Sequence, residues 1–149
     1  MSKYVFGVDV GGTTVKMGFF DSEGTVLDKW EIPTRKDLGG KFILPDIAES
    51  ITDKLLEKGI TKDEVVGVGV GVPGPVDADG VVFKAVNLGW DIFSVSNTFG
   101  DLINLPVKAG NDANVAALGE MWKGGGKGHD DLVAVTLGTG VGGGIIVQG

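Results

Sequence analysis

The chain has 149 residues, 42% of them hydrophobic and 22% charged, which predicts a soluble globular protein with a real core. Its formal net charge of -7, with 13 basic residues against 20 acidic ones, argues against a nucleic-acid binder. No apolar run nears the ~20 residues of a membrane span. There is no cysteine, which excludes disulfides and thiolate metal sites within these residues and suits a cytoplasmic setting. The N-terminus runs straight into a strand pattern, so no signal peptide is expected.

Tyr4, Phe6 and Val8 alternate with Val5 and Gly7 and predict a first strand. A turn of glycine, threonine and one carboxylate follows (residues 9–14), and Val15, Met17 and Phe19 predict a second strand. A polar turn at 21–24 leads into a third, over 25–32. Three short strands in succession predict an antiparallel meander. A dinucleotide-binding fold would instead pass from its glycine turn directly into a helix. Residues 33–40 are polar and read as a loop. A helix over 44–58 follows, with Pro45 in its first turn, Ile47, Ile51 and Leu55 as its buried stripe, and Gly59 as its stop. Thr61 and Glu64 predict a capping box.

In "VVGVGVGVPGPVD" the valines 66, 68, 70 and 72 fall on one strand face and glycines 67, 69 and 71 on the other. A strand bare on one side lets a neighbour or a ligand approach its backbone. Residues 77–80 predict a tight turn between short edge strands, and 84–93 an irregular loop. Ser94 or Ser96 is placed to cap a short helix carrying Val95, Phe99 and Ile103. A strand at 107–109 then meets a helix from 113 to about 123, with Val115, Leu118 and Trp122 on one face. The chain closes on a strand (132–137), a glycine turn (138–144) and the start of another strand. That ending, "VTLGTGVGGGIIV", repeats the order of the opening "VDVGGTTVKMGFF". The separation is too large for a solenoid and suits two related α/β domains, 1–112 and 113–149, the second only begun.

Gly11 and Gly12 permit close approach to a phosphoryl oxygen, and Thr13 and Thr14 add hydroxyls. Asp9 is placed to hold Mg2+ through water or to orient a lysine. The alternative is a plain tight hairpin. It is not a P-loop, since no G-K-[ST] is present. Gly138, Thr139 and Gly140 repeat this chemistry. Asp112, between a strand end and a helix start, is placed either as a general base for a sugar hydroxyl or as part of a helix cap, and Asn111 beside it either orients a hydroxyl or caps. Asn87 and Trp90 offer an amide and an aromatic face to a sugar, or anchor their loop. His129 reads as a solvated loop residue.

The segments "GVDVGGTTVKMGFFD" (7–21), "GVGVPGPVD" (69–77), "AVNLGW" (85–90), "GNDANVAALGE" (110–120) and "VTLGTGVGGGII" (133–146) occur in order along the whole chain. Together they resemble the N-terminal half of a bacterial ROK-family sugar kinase (repressor, open reading frame, kinase), most closely the glucokinases. The resemblance implies the actin-like, ribonuclease-H-like ATPase fold, with a mixed sheet and a second similar domain. It places Asp9, Gly11, Gly12 and Thr13 on the first phosphate motif and Gly138, Thr139 and Gly140 on the second. It places Asp112 on the catalytic base, Asn111 on its sugar-binding neighbour, Gly74 and Pro75 beside the sugar pocket, and Asn87 near its rim. It implies ATP, Mg2+ and a hexose as ligands, with structural Zn2+ only in the part of the second domain that lies beyond these residues. Family kinases are about twice this long, so the chain is expected to be inactive alone and to self-associate or exchange through 113–149. A non-enzymatic actin-like binding domain is the rival expectation.

Overall fold

Residues 3–138 and 140–149 are described by the computed structural model. Strands β1 (Tyr4–Val10), β2 (Thr14–Asp21) and β3 (Val26–Pro33) form the expected antiparallel meander. A one-turn segment α1 (Asp37–Gly40) and helix α2 (Ile43–Lys58) return the chain to β4 (Val65–Val72), which pairs parallel to β1. A small ladder of β5 (Val81–Val82) and β6 (Phe93–Ser94) precedes helix α3 (Val95–Ile103). Strand β7 (Val107–Asn111) then joins parallel to β4, giving a five-stranded mixed sheet in the order β3-β2-β1-β4-β7. Helix α4 (Asp112–Lys123) and the hairpin β8 (Leu132–Leu137) and β9 (Val141–Ile146) complete the chain.

Strand alternation builds the core. Phe6, Val8 and Val10 of β1, Val15, Met17 and Phe19 of β2, and Val68, Val70 and Val72 of β4 share one buried cluster with the apolar stripes of α2 and α3. Burying each such side chain contributes roughly 1.5–3 kcal/mol. Helix α2 begins at Ile43, one residue before the expected start, and Gly59 ends it in the left-handed conformation, φ 64°, donating its N–H to Leu55 and Leu56 carbonyls. Ser94 is the α3 cap, its Oγ accepting from Asn97 N–H at 3.1 Å. Edge strand β3 is tied to α2 by Trp30 Nε1 donating to Ser50 Oγ at 2.9 Å, and by Asp28 facing Lys54 and Lys58 at 3.0 and 3.2 Å. Lys54 and then Lys58 hold the Asp28 carboxyl below its usual range.

One sequence expectation changes. Val66 was expected on the packed face of β4, but it is exposed while Val65 is buried. The β1–β4 register jumps between Tyr4↔Val65 and Val5↔Gly67, and that irregularity reverses the phase of the first two residues. On α4, Val115, Leu118 and Trp122 are exposed, whereas Ala113 and Ala117 are buried. The alanines pack against β9: a Cβ added to Gly144 would lie 2.6 Å from that of Ala117. The main core therefore draws on residues 6–105, and α4 with its hairpin forms a satellite. Among the described residues, no helix is long and apolar enough to cross a membrane.

Candidate functional site

The opposite face of the sheet is nearly bare. Val5, Gly7 and Asp9 project there from β1, Gly18 and Phe20 from β2, and Gly69 and Gly71 from β4. With Val115 and Trp122 of α4 they line an open trough of about 880 Å³ that also takes in Asp9 and Asp112. Gly71 is needed for this: an added Cβ would stand 3.1 Å from Val115 and 3.4 Å from the Asp112 Cα, so glycine lets the start of α4 lie against β4. Asp9, near the end of β1, and Asp112, just past the end of β7, lie at the same carboxyl edge with β4 between their strands, where α/β sheets gather ligands.

Asp9 is exposed at the mouth of the trough, yet the protein around it removes enough water to push its carboxyl above the ordinary 3.8. Desolvation is the larger cause, the Asp112 charge adds to it, and Lys16, its register partner on β2, opposes both. Two like charges sharing one cleft, one of them partly desolvated, fit a hard cation. Among the described residues no cluster of three acidic or histidine side chains forms a closed metal cage.

The first glycine turn leaves β1 beside Asp9. Gly11 N–H donates to the Thr14 carbonyl at 3.1 Å, and a Cβ on Gly11 would lie 2.6 Å from that oxygen, so close backbone approach demands glycine here. Among the described residues, the N–H groups of Gly12 and Thr13 donate to no protein acceptor. Sequence reading missed Thr34, whose hydroxyl donates to the Gly11 carbonyl at 2.7 Å and whose N–H donates to the Thr13 carbonyl at 2.9 Å. Only the strand pairing reveals it: Thr34 sits just past β3, which pairs with β2 up to Thr14↔Pro33.

Asn111 caps α4, its Oδ1 accepting from Ala113 and Asn114 N–H at 3.1 and 3.3 Å. Its Nδ2 donates to the Gly74 carbonyl at 2.8 Å. One amide hydrogen is left for another acceptor, so capping does not consume the whole side chain. Gly74 has φ 109°, and an added Cβ would collide with the Lys84 carbonyl. Pro75 is exposed and its carbonyl accepts from Phe83 N–H at 3.0 Å. Asn87 is exposed beside the 11–14 turn, its Cβ 4.0 Å from where a Gly12 side chain would begin. Trp90 is buried and donates to the Gly40 carbonyl at 3.1 Å, which makes it a loop anchor. Asn111 and Gly74 are thus joined directly, with Asp112 next in the chain, while Asn87 lies near the 11–14 turn. Gly138 and Gly140 are exposed, with Gly138 N–H donating to Gly140 at 2.9 Å; Thr139 lies outside the described residues.

The two roles of Asn111 are separable. Asn111→Asp keeps the cap but sets a carboxylate against the Gly74 carbonyl, and a stability loss of about 1–3 kcal/mol is expected in urea unfolding. Asn111→Ser keeps a cap without that repulsion and should lose less.

A meander feeding parallel strands, with carboxylates and a glycine turn at their ends, is the actin-like ATPase fold. The ROK family model matches residues 5–149, and the chain belongs to that family. It is 47% identical over 148 residues to a glucokinase of Halalkalibacterium halodurans, covering 99% of this chain and 45% of that one. It is 39% identical to a Streptomyces coelicolor glucokinase, with 95% and 43% covered. A ROK glucokinase from Streptomyces griseus, solved with glucose and AMPPNP, superposes with TM-score 0.80 at 36% identity, covering 97% of this chain and 45% of that one. The chain also matches the xylose repressor of Bacillus subtilis, at 30% identity, covering 97% of this chain and 38% of that one. It spans under half the length of these relatives.

Proposed function

We propose that these residues are the N-terminal part of an ATP-dependent hexose 6-kinase, a glucokinase that converts ATP and D-glucose to ADP and glucose 6-phosphate. The observation carrying this is the juxtaposition of Asp9 and Asp112 at one sheet edge, coupled in charge, beside a turn with spare N–H donors. In this reading Asp112 accepts the 6-hydroxyl proton as the phosphoryl group transfers. Asn111 offers its remaining amide hydrogen to a neighbouring hydroxyl, and Gly74, Pro75 and Asn87 shape the sugar side. The turn 11–14 donates to phosphate oxygens, and Gly138, Thr139 and Gly140 form the second grip. Asp9 would hold Mg2+ through water, and the ion would supply charge neutralisation at the phosphates. The domains divide at 112/113, the setting is cytoplasmic, and structural Zn2+ belongs outside these residues.

Phosphoryl transfer is catalysed by positioning and electrostatics, so half a cleft gives little rate. The 149-residue chain is expected to form no glucose 6-phosphate in a coupled dehydrogenase assay. A continuous chain that adds the remainder of a ROK kinase should turn over. Turnover of another hexose in preference to glucose would overturn the substrate assignment.

A second reading is a non-enzymatic, self-associating domain. It is favoured by the exposed Val133, Val135, Leu137, Val141 and Ile145 of the hairpin. A solution mass above 15.4 kDa that a hairpin charge substitution returns to monomer would support it.

A further inference from the structure

We propose that Thr34 is a positioning residue of the phosphate turn, clasping it so that its spare backbone donor faces the anion. The inference rests on reading residues 11–14 as a phosphate site. Thr34 captures two carbonyls of that turn, Gly11 through its hydroxyl at 2.7 Å and Thr13 through its N–H at 2.9 Å. A trans peptide is planar, with its C=O and following N–H pointing in opposite directions. Drawing the Gly11 oxygen toward Thr34 therefore turns Gly12 N–H away from Thr34, and that N–H donates to no protein acceptor among the described residues. The clasp also removes a repulsive element, since a carbonyl free to swing toward the cleft would present its negative end to an incoming phosphate. Glycine at 11 and 12 makes the turn soft, and an external tie is what selects one peptide orientation from several. The tie comes from the exit of β3, across the ladder that pairs Thr14 with Pro33.

The test uses the 149-residue chain, isotopically labelled for amide NMR, with Thr34→Val (same shape, no hydroxyl) and Thr34→Ser (hydroxyl kept). Thr34→Val is expected to speed hydrogen exchange at the Gly11 N–H about five- to tenfold, while core amides of β1 and β4 stay unchanged. Thr34→Ser should exchange within about twofold of the parent. Inorganic pyrophosphate with Mg2+ should shift the Gly12 amide resonance, with an apparent Kd about tenfold weaker in Thr34→Val and restored in Thr34→Ser. Exchange at Gly11 unaltered by Thr34→Val would overturn the clasp. So would a Thr34→Ser variant that behaves like Thr34→Val, since a retained hydroxyl would then fail to hold the turn. Pyrophosphate that moves no turn amide in the parent chain would sink the phosphate reading instead, leaving the exchange result to decide the clasp.

Discussion

Asp112→Asn, in a kinase continuous with these 149 residues, is expected to lower kcat for glucose by about 10²–10⁴-fold with little change in KM. The substitution keeps the shape of the side chain and leaves Asn111 as the α4 cap, so melting should stay near that of the parent. What it removes is the proposed proton acceptor, at the start of α4. The transition state of phosphoryl transfer is loose, so the base needs position more than an altered basicity. The loss should therefore appear in kcat, with the sugar still bound through its other hydroxyls. Turnover within a few-fold of the parent would remove Asp112 from the chemistry and leave it a residue of the helix start. The same variant has a second readout. Asp112 contributes to the raised Asp9 pKa, so carboxyl NMR should show Asp9 titrating lower once that charge is gone.

Asp9→Asn should move activity and stability in opposite directions. Removing the carboxylate proposed to hold Mg2+ through water is expected to cost about 10²–10³-fold in kcat, the scale for losing one electrostatic stabiliser. Stability should rise at neutral pH. The folded chain holds the Asp9 proton to a higher pH than the unfolded chain, because desolvation and then Asp112 disfavour the anion. Where the native state binds more protons, unfolding free energy falls as pH rises. The cost of ionised Asp9 is thus absent below the ordinary 3.8 and grows as pH climbs through the raised value. Asp9→Asn should melt higher than the parent at neutral pH and together with it at about pH 3. A variant that melts lower at neutral pH would mean that Asp9 is held by a favourable partner, and that Lys16 outweighs Asp112. The sign is opposite at Asp28, where Lys54 and Lys58 favour the anion and the contribution to stability is lost as pH falls.

The meander was legible because period-2 alternation, glycine turns and a polar 21–24 break are local signals. The α2 stripe and its Gly59 stop were legible for the same reason. Val66 was not, because the register jump that turns it outward depends on how β4 meets β1. Which face of α4 is covered was not legible either. Leu118 and Trp122 are its large apolar residues, but only alanine is small enough for β9 to lie against the helix, so the alanines are covered. Thr34 was invisible because its partners lie more than twenty residues back, and the loop holding it has no period of its own.

By itself the sequence determined the elements, the family motifs and the two carboxylates, since each is written in residue type and short-range spacing. Only the tertiary structure decided that Asp9 and Asp112 share one cleft and couple, that Asn111 reaches back to Gly74, and that Thr34 clasps the Gly11 and Thr13 carbonyls. The physical reason is sheet order. The order β2-β1-β4-β7 brings the ends of distant segments to one edge, and no local propensity specifies which strand lies beside which.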